Sequence, residues 1–205
     1  MKKIFISALG LLVLVGCSSP ATPAEPTPET TEPEPTPETT DSGTSSPTVF
    51  EKPSTPTSTL VVGDDTLGYV EIDSTWLPFQ DTDPTVTATQ FSDEEGSYIL
   101  SLDTVVWPDE VAAADRTAEM AATNIWNNLE VQGYSETSGA TVDFPNVDLD
   151  VYEVYGFYDD GEGVLICWLM DDDQGVTHYM SLEGPYTEEI LNYYMLAGAT
   201  YSFTE

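Results

Sequence analysis

The thirteen residues "CWLMDDDQGVTHY", positions 167 to 179, gather a cysteine, three consecutive aspartates and the chain's one histidine. Thiolate, carboxylate and imidazole are the donors of zinc centres, yet the same residues also read as two strands joined by an acidic turn. Spacing separates the two readings. Asp171 lies four residues beyond Cys167, about 13 Å along a regular strand and too far to share an ion. His178 meets Cys167 only if the turn sets them directly opposite, as a four-residue loop would. A three- or five-residue loop sends them to opposite faces. Even when paired, the two do not complete a zinc site. The expectation is therefore strand, acidic turn, strand.

Cys167 has no basic neighbour in sequence, and apolar surroundings raise a thiol's pKa, so it reads as a small buried hydrophobe. His178 would have to serve any Ser-His-Asp machinery alone, without the "GxSxG" elbow, which makes a small hydrolase an alternative without a motif. Neither a glycine-rich phosphate loop nor "HExxH" nor "CxxC" occurs in the chain. No catalytic residue is assigned, and no cofactor is expected apart from calcium, which the acidic loops could take. Those loops are "DTD" (81–83), "DEE" (93–95), "DDGE" (159–162) and "DDD" (171–173). Calcium accepts six to eight oxygens in flexible geometry, so Asp159, Asp160, Glu162, Asp171, Asp172 and Asp173 are the candidate ligands. None of the loops fits the EF-hand pattern, and Asp and Gly belong in turns for backbone reasons alone. Tyr152, Tyr155 and Tyr158 differ in parity along one strand. Tyrosines rimmed by acids could form a recognition surface for a peptide, a glycan or a cationic partner, or could simply pack on the sheet.

The elements that must position these residues follow from periodicity. "YVEI" near Gly68 reads as a first strand, and "TVTATQF" (85–91) and "SYILSLDTVVW" (97–107) as a hairpin across "SDEEG". From Asp109 to Val131 apolar residues recur every three or four positions, which predicts a helix, with Asp109 or Asp115 at its start and Gly133 at its stop. "VDLDVYEVYGFY", "GVLICWLM" and "VTHYMSLEG" read as a three-stranded antiparallel meander. Thr187, followed by two glutamates, opens a second helix. "GVLICWLM" is apolar at almost every position, so it should be covered on both faces. The fold class expected for residues 60–205 is α+β: an antiparallel sheet of six or seven strands flanked by two helices.

That order of elements, from "GYVEIDSTW" to the closing "TYSF", resembles the PsbP-like fold, shared by the photosystem II extrinsic protein and a Ran-binding import factor. The resemblance matches Tyr69, Val70, Ile72 and Trp76 to the family's first strand and its aromatic, and residues 200–203 to its end. Asp73, Ser74 and Thr75 stand where the family would place a proline. The family is diverse and often non-catalytic, which implies a binding or accessory module.

The amino-terminal segment carries an address. Lys2 and Lys3 precede an apolar run, residues 4–15, too short to span as an ordinary membrane helix, as in a signal peptide. The run ends in Leu14-Val15-Gly16-Cys17, which resembles the lipobox of bacterial lipoproteins, where cleavage leaves the cysteine as the lipidated first residue. The resemblance implies a signal peptide over residues 1–16, lipidation at Cys17, and a membrane-anchored, extracytoplasmic location. A plain secretory signal or an uncleaved anchor helix would be the alternatives. Residues 17–59 hold ten of the fifteen prolines. They are expected to be an extended, disordered linker reaching up to roughly 130 Å, either a spacer or an ordinary linker.

With Cys17 committed to lipid, Cys167 has no disulfide partner in the chain. From residue 60 onward there are 30 acidic residues against one cation, Arg116, a net charge of −29. Nucleic acid is therefore not a partner, and anionic headgroups repel the domain. The sequence predicts a lipoprotein whose non-catalytic domain binds or assists an unknown partner at the cell surface.

Overall fold

"GVLICWLM" can bury every side chain only as a central strand with a layer on each side, and the computed structural model builds that arrangement. The structure describes Pro56 and residues 58–79 and 87–205. The residues read above as a signal peptide (1–16), as a lipidation site (Cys17) and, up to residue 55, as a linker lie outside these residues, as does "DTD" (81–83).

Among the described residues, nine strands and two α-helices follow in chain order. They are β1 (Thr59–Asp64), β2 (Gly68–Asp73), β3 (Leu77–Phe79), β4 (Thr89–Ser92), β5 (Ile99–Thr104), α1 (Ala118–Gln132), β6 (Ser135–Val142), β7 (Val151–Tyr158), β8 (Gly163–Asp171), β9 (Thr177–Pro185) and α2 (Glu188–Thr200). Strands β3 to β9 form one antiparallel sheet in the order β3-β4-β5-β9-β8-β7-β6, and β1 and β2 form a separate two-stranded ribbon. The fold is α+β, with seven strands in the main sheet.

The alternation of side chains along β8 divides the core in two. Val164, Ile166, Trp168 and Met170 join Val70, Ile72, Ile190, Ala197 and Tyr201 on the side of α2 and the ribbon. Leu165, Cys167 and Leu169 join Ala118, Ala121, Ala122 and Leu129 beneath α1. Small residues on the inner face of α1 let the helix lie close to the sheet, and the larger side chains across β8 are matched by aromatics of α2.

The elements differ from the sequence reading at several points, among them the start of β7, at Val151 rather than residue 147. The helix begins at Ala118 rather than at Asp109: Thr117 Oγ1 accepts the Met120 N–H at 3.2 Å, and the Asp171 carboxylate accepts the Ala118 N–H at 3.0 Å. The alanines before it make only a 3-10 turn, Ala113–Asp115. β5 ends at Thr104, three residues short of Trp107. The meander gains a fourth strand, β6, whose serines, glutamate, glycine and alanine dilute the strand signal of its two threonines and one valine. Gly133 does stop α1, at φ 86, a left-handed conformation suited to glycine. Thr187 caps α2, accepting the Glu189 N–H at 3.2 Å.

Candidate functional site

The β8-β9 hairpin pairs Asp171 with Thr177, so residues 172–176 form the five-residue loop. That register places His178 opposite Met170 and Cys167 opposite Ser181. Cys167 packs beneath α1, while the His178 ring lies on the other side of the sheet, 4.9 Å from the ring of Phe203. The cysteine and the histidine therefore lie on opposite faces.

Each polar group of the stretch has a specific local task. The Cys167 Sγ is buried 3.4 Å from the Tyr179 hydroxyl, and burial pushes its pKa up to about 12, so thiolate is scarce near neutral pH. Asp171 accepts the Ala118 N–H with both oxygens and the Thr177 hydroxyl at 2.6 Å. A carboxylate at the first turn of α1 also meets the positive end of the helix dipole. Asp172 accepts the N–H groups of Gln174 and Val176 at 2.9 and 2.8 Å, closing the loop. Its Oδ2 lies 3.3 Å from the His178 Nε2. Burial works to raise the Asp172 pKa, but the Val176 N–H, His178 and the Gln174 N–H together hold it below its ordinary value. Asp173 accepts from the Gln174 side chain.

The second acidic loop is a 3-10 turn over Asp159–Gly161, in which the Glu162 N–H donates to the Asp159 carbonyl at 3.1 Å. Asp159 and Asp160 adopt φ of 51° and 57°, where aspartate is better tolerated than most residues. In the "DEE" loop Asp93 accepts the N–H groups of Ser97 and Tyr98. Among the described residues, no three His, Cys, Asp or Glu side chains converge where a metal ion would sit.

The three tyrosines do not make one surface. Tyr152 packs against the α1 side of the core and Tyr155 against the α2 side. Tyr158 stands edge-on to Tyr134 at 5.8 Å and lies over Gly163 of the facing strand, where any Cβ would strike its ring. All three are partly buried. Mixed parity led to the expectation that some of them face outward, but both faces of the strand are covered and none is exposed; the covering role of Tyr158 follows from its pairing with Gly163 and could not be read from spacing.

Two further features escaped sequence reasoning. Beside α2, a cleft of about 10 Å³ is lined by Glu71, Asp73, Trp76 and Tyr193 among others, room for a single water. The Trp76 and Tyr193 rings that line it meet edge-on at 4.7 Å. At the end of the main sheet, β6 pairs with β7 on one side only, and its residues 139–141 are exposed. The indole N–H of Trp126 lies beside this strand, 3.1 Å from Glu130 Oε1 and 3.2 Å from Thr137 Oγ1.

Among the described residues, no helix is long and apolar enough to cross a membrane. No protein-family model matches the chain, and no curated protein matches it.

Proposed function

We propose that the chain is a lipoprotein, anchored through Cys17 on the extracytoplasmic face of a cell membrane, whose folded domain binds another component of the cell surface and performs no catalysis. Within this reading the domain is a distant relative of the PsbP-like proteins. The observed order of ribbon, hairpin, helix, meander and closing helix supports that kinship. The observation that carries the binding reading is the use made of residues 167–178. The thiol is held protonated under α1, Asp171 caps a helix and Asp172 closes a loop, so the richest donor stretch serves the fold. The negative surface supports a partner other than nucleic acid.

Two measurements test the proposal in the native envelope. Mass spectrometry of the mature amino terminus should find acyl chains on Cys17, and Cys17→Ala should move the protein out of the membrane fraction. Cross-linking of the full chain should then recover one dominant partner. An unmodified Cys17 defeats the anchor, and a diffuse set of cross-linked neighbours defeats the binding module.

A further inference from the structure

The two ends of the seven-stranded sheet are built differently. β3 is three residues long and has Pro78 at its centre, two devices that keep a strand edge from recruiting another chain. β6 is eight residues long and contains neither proline nor lysine, with Glu136 as its one charged residue. Its first half is protected by a register shift between Ser135 and Ser138, where Glu136 takes φ 49°. The second half is not. Gly139, Ala140, Thr141 and Val142 pair regularly with Val154, Glu153, Tyr152 and Val151. Among the described residues, no strand pairs with their other side. A regular strand with one neighbour leaves every second backbone N–H and C=O on the open side free for an added strand.

Charge selects the occupant. A second copy would bring another domain of net charge −29 over residues 60–205, so pairing of one β6 with another is opposed over the distance that salt does not screen. A segment bearing lysine or arginine is attracted instead. Glu130, Glu136 and Asp143 supply local carboxylates at or next to this edge. Trp126 is 39% exposed, and its six-membered ring lies so close to Gly139 that a Cβ there would stand 3.3 Å from it. The hydrogen bonds of Glu130 Oε1 to Trp126 and Thr137 fix a carboxylate beside that ring. An indole face next to a carboxylate suits a cationic side chain projecting from a strand laid along β6.

We propose that the Gly139–Val142 edge of β6 takes up an extended, lysine- or arginine-bearing segment of another protein as an eighth strand of the sheet. This rests on the binding-module reading and names the mode of recognition. Backbone hydrogen bonds supply affinity, and the Trp126 and Glu130 pair supplies the preference for a cation.

Two synthetic octapeptides test it against the full chain near physiological salt. One alternates lysine and valine; the other alternates lysine and proline, with the same charge but no ability to join a sheet. The first should bind at least tenfold more tightly and shift the backbone resonances of residues 139–142 and the Trp126 indole N–H. Ala140→Lys, at an exposed position, should weaken it at least tenfold without lowering the melting temperature, and Trp126→Ala should cost about threefold. Equal affinities for the two peptides, unmoved by Ala140→Lys, would mean attraction by charge alone and overturn the proposal. A dimer through β6, seen by sedimentation without peptide, would overturn the choice of occupant. The envelope cross-link separates the two readings: a dominant partner retained by Ala140→Lys removes the edge mechanism and leaves the binding module standing. Diffuse neighbours alongside edge-selective peptide binding would remove the module and leave the edge.

Discussion

At the scale of the residue, the cysteine, aspartates and histidine of one stretch are sorted by the geometry of a single hairpin. Cys167 is sealed under α1 with its thiol pushed up to about 12. Iodoacetamide near neutral pH should leave the Cys167 peptide unmodified in the native protein and label it fully in denaturant, as read by mass spectrometry; rapid native labelling would contradict the burial. Asp172 makes the opposite kind of statement. Its folded pKa lies below the ordinary value, so the stability it contributes is present above the usual carboxylate range, near about 3.9, and is lost as pH falls through the lower folded value. Asp172→Ala, which removes the acceptor of the Gln174 and Val176 N–H groups at a partly solvated site, should cost about 1 kcal/mol at neutral pH. The difference from the parent should close in acid, in denaturant titrations across pH 2 to 7. A gap independent of pH would show that the carboxylate's charge is not what closes the loop.

At the scale of the element, α1 shows what local pattern can and cannot carry. The helical period was legible from Ala118 through Leu129, although the same spacing over Val111 and Ala114 belongs to a bend and a 3-10 turn, and the glycine stop was legible too. The start was not, because it depends on Asp171, a residue 53 positions away on β8 that reaches the first turn. Asp171→Ala should destabilise the protein by about 1 to 3 kcal/mol. Asp171→Asn, which keeps an acceptor, should cost less, and equal losses for both in urea unfolding would exclude the capping role. β8 and β9 were legible because apolar runs flank an acidic turn, and α2 because threonine precedes two glutamates. β6 was hidden for a physical reason: serine, glutamate, glycine and alanine interrupt its threonines and valine, no apolar alternation runs through it, and it is held as a strand by its register with β7. The division of Tyr152 and Tyr155 between two faces followed from the alternation of any strand. Asp172, bonded to N–H groups two and four residues on, fills the turn role that its type allows, whereas the reach of Asp171 to the Ala118 N–H could not be read, since only the assembled sheet brings the two together.

At the scale of the whole molecule, 30 carboxylates against one arginine over residues 60–205 place strong self-repulsion on the folded state. Raising monovalent salt from about 0.1 to about 1 M shortens the screening length from about 10 to about 3 Å. The melting temperature of the full chain should rise, by about 3 °C for each kcal/mol of relieved repulsion. A flat or falling curve by circular dichroism would mean that the charges are spaced widely enough to cost nothing.

The strand order has one more consequence, for the moment of synthesis. β5 finds its second neighbour only in β9, with Ile99 opposite Glu183, so the first three strands of the sheet stay separate from the rest until the last strand has left the ribosome. A chain made from its amino terminus cannot close this sheet early. Until residue 185 emerges, β3–β5 and β6–β8 remain two unjoined halves, and β9 joins them in one step.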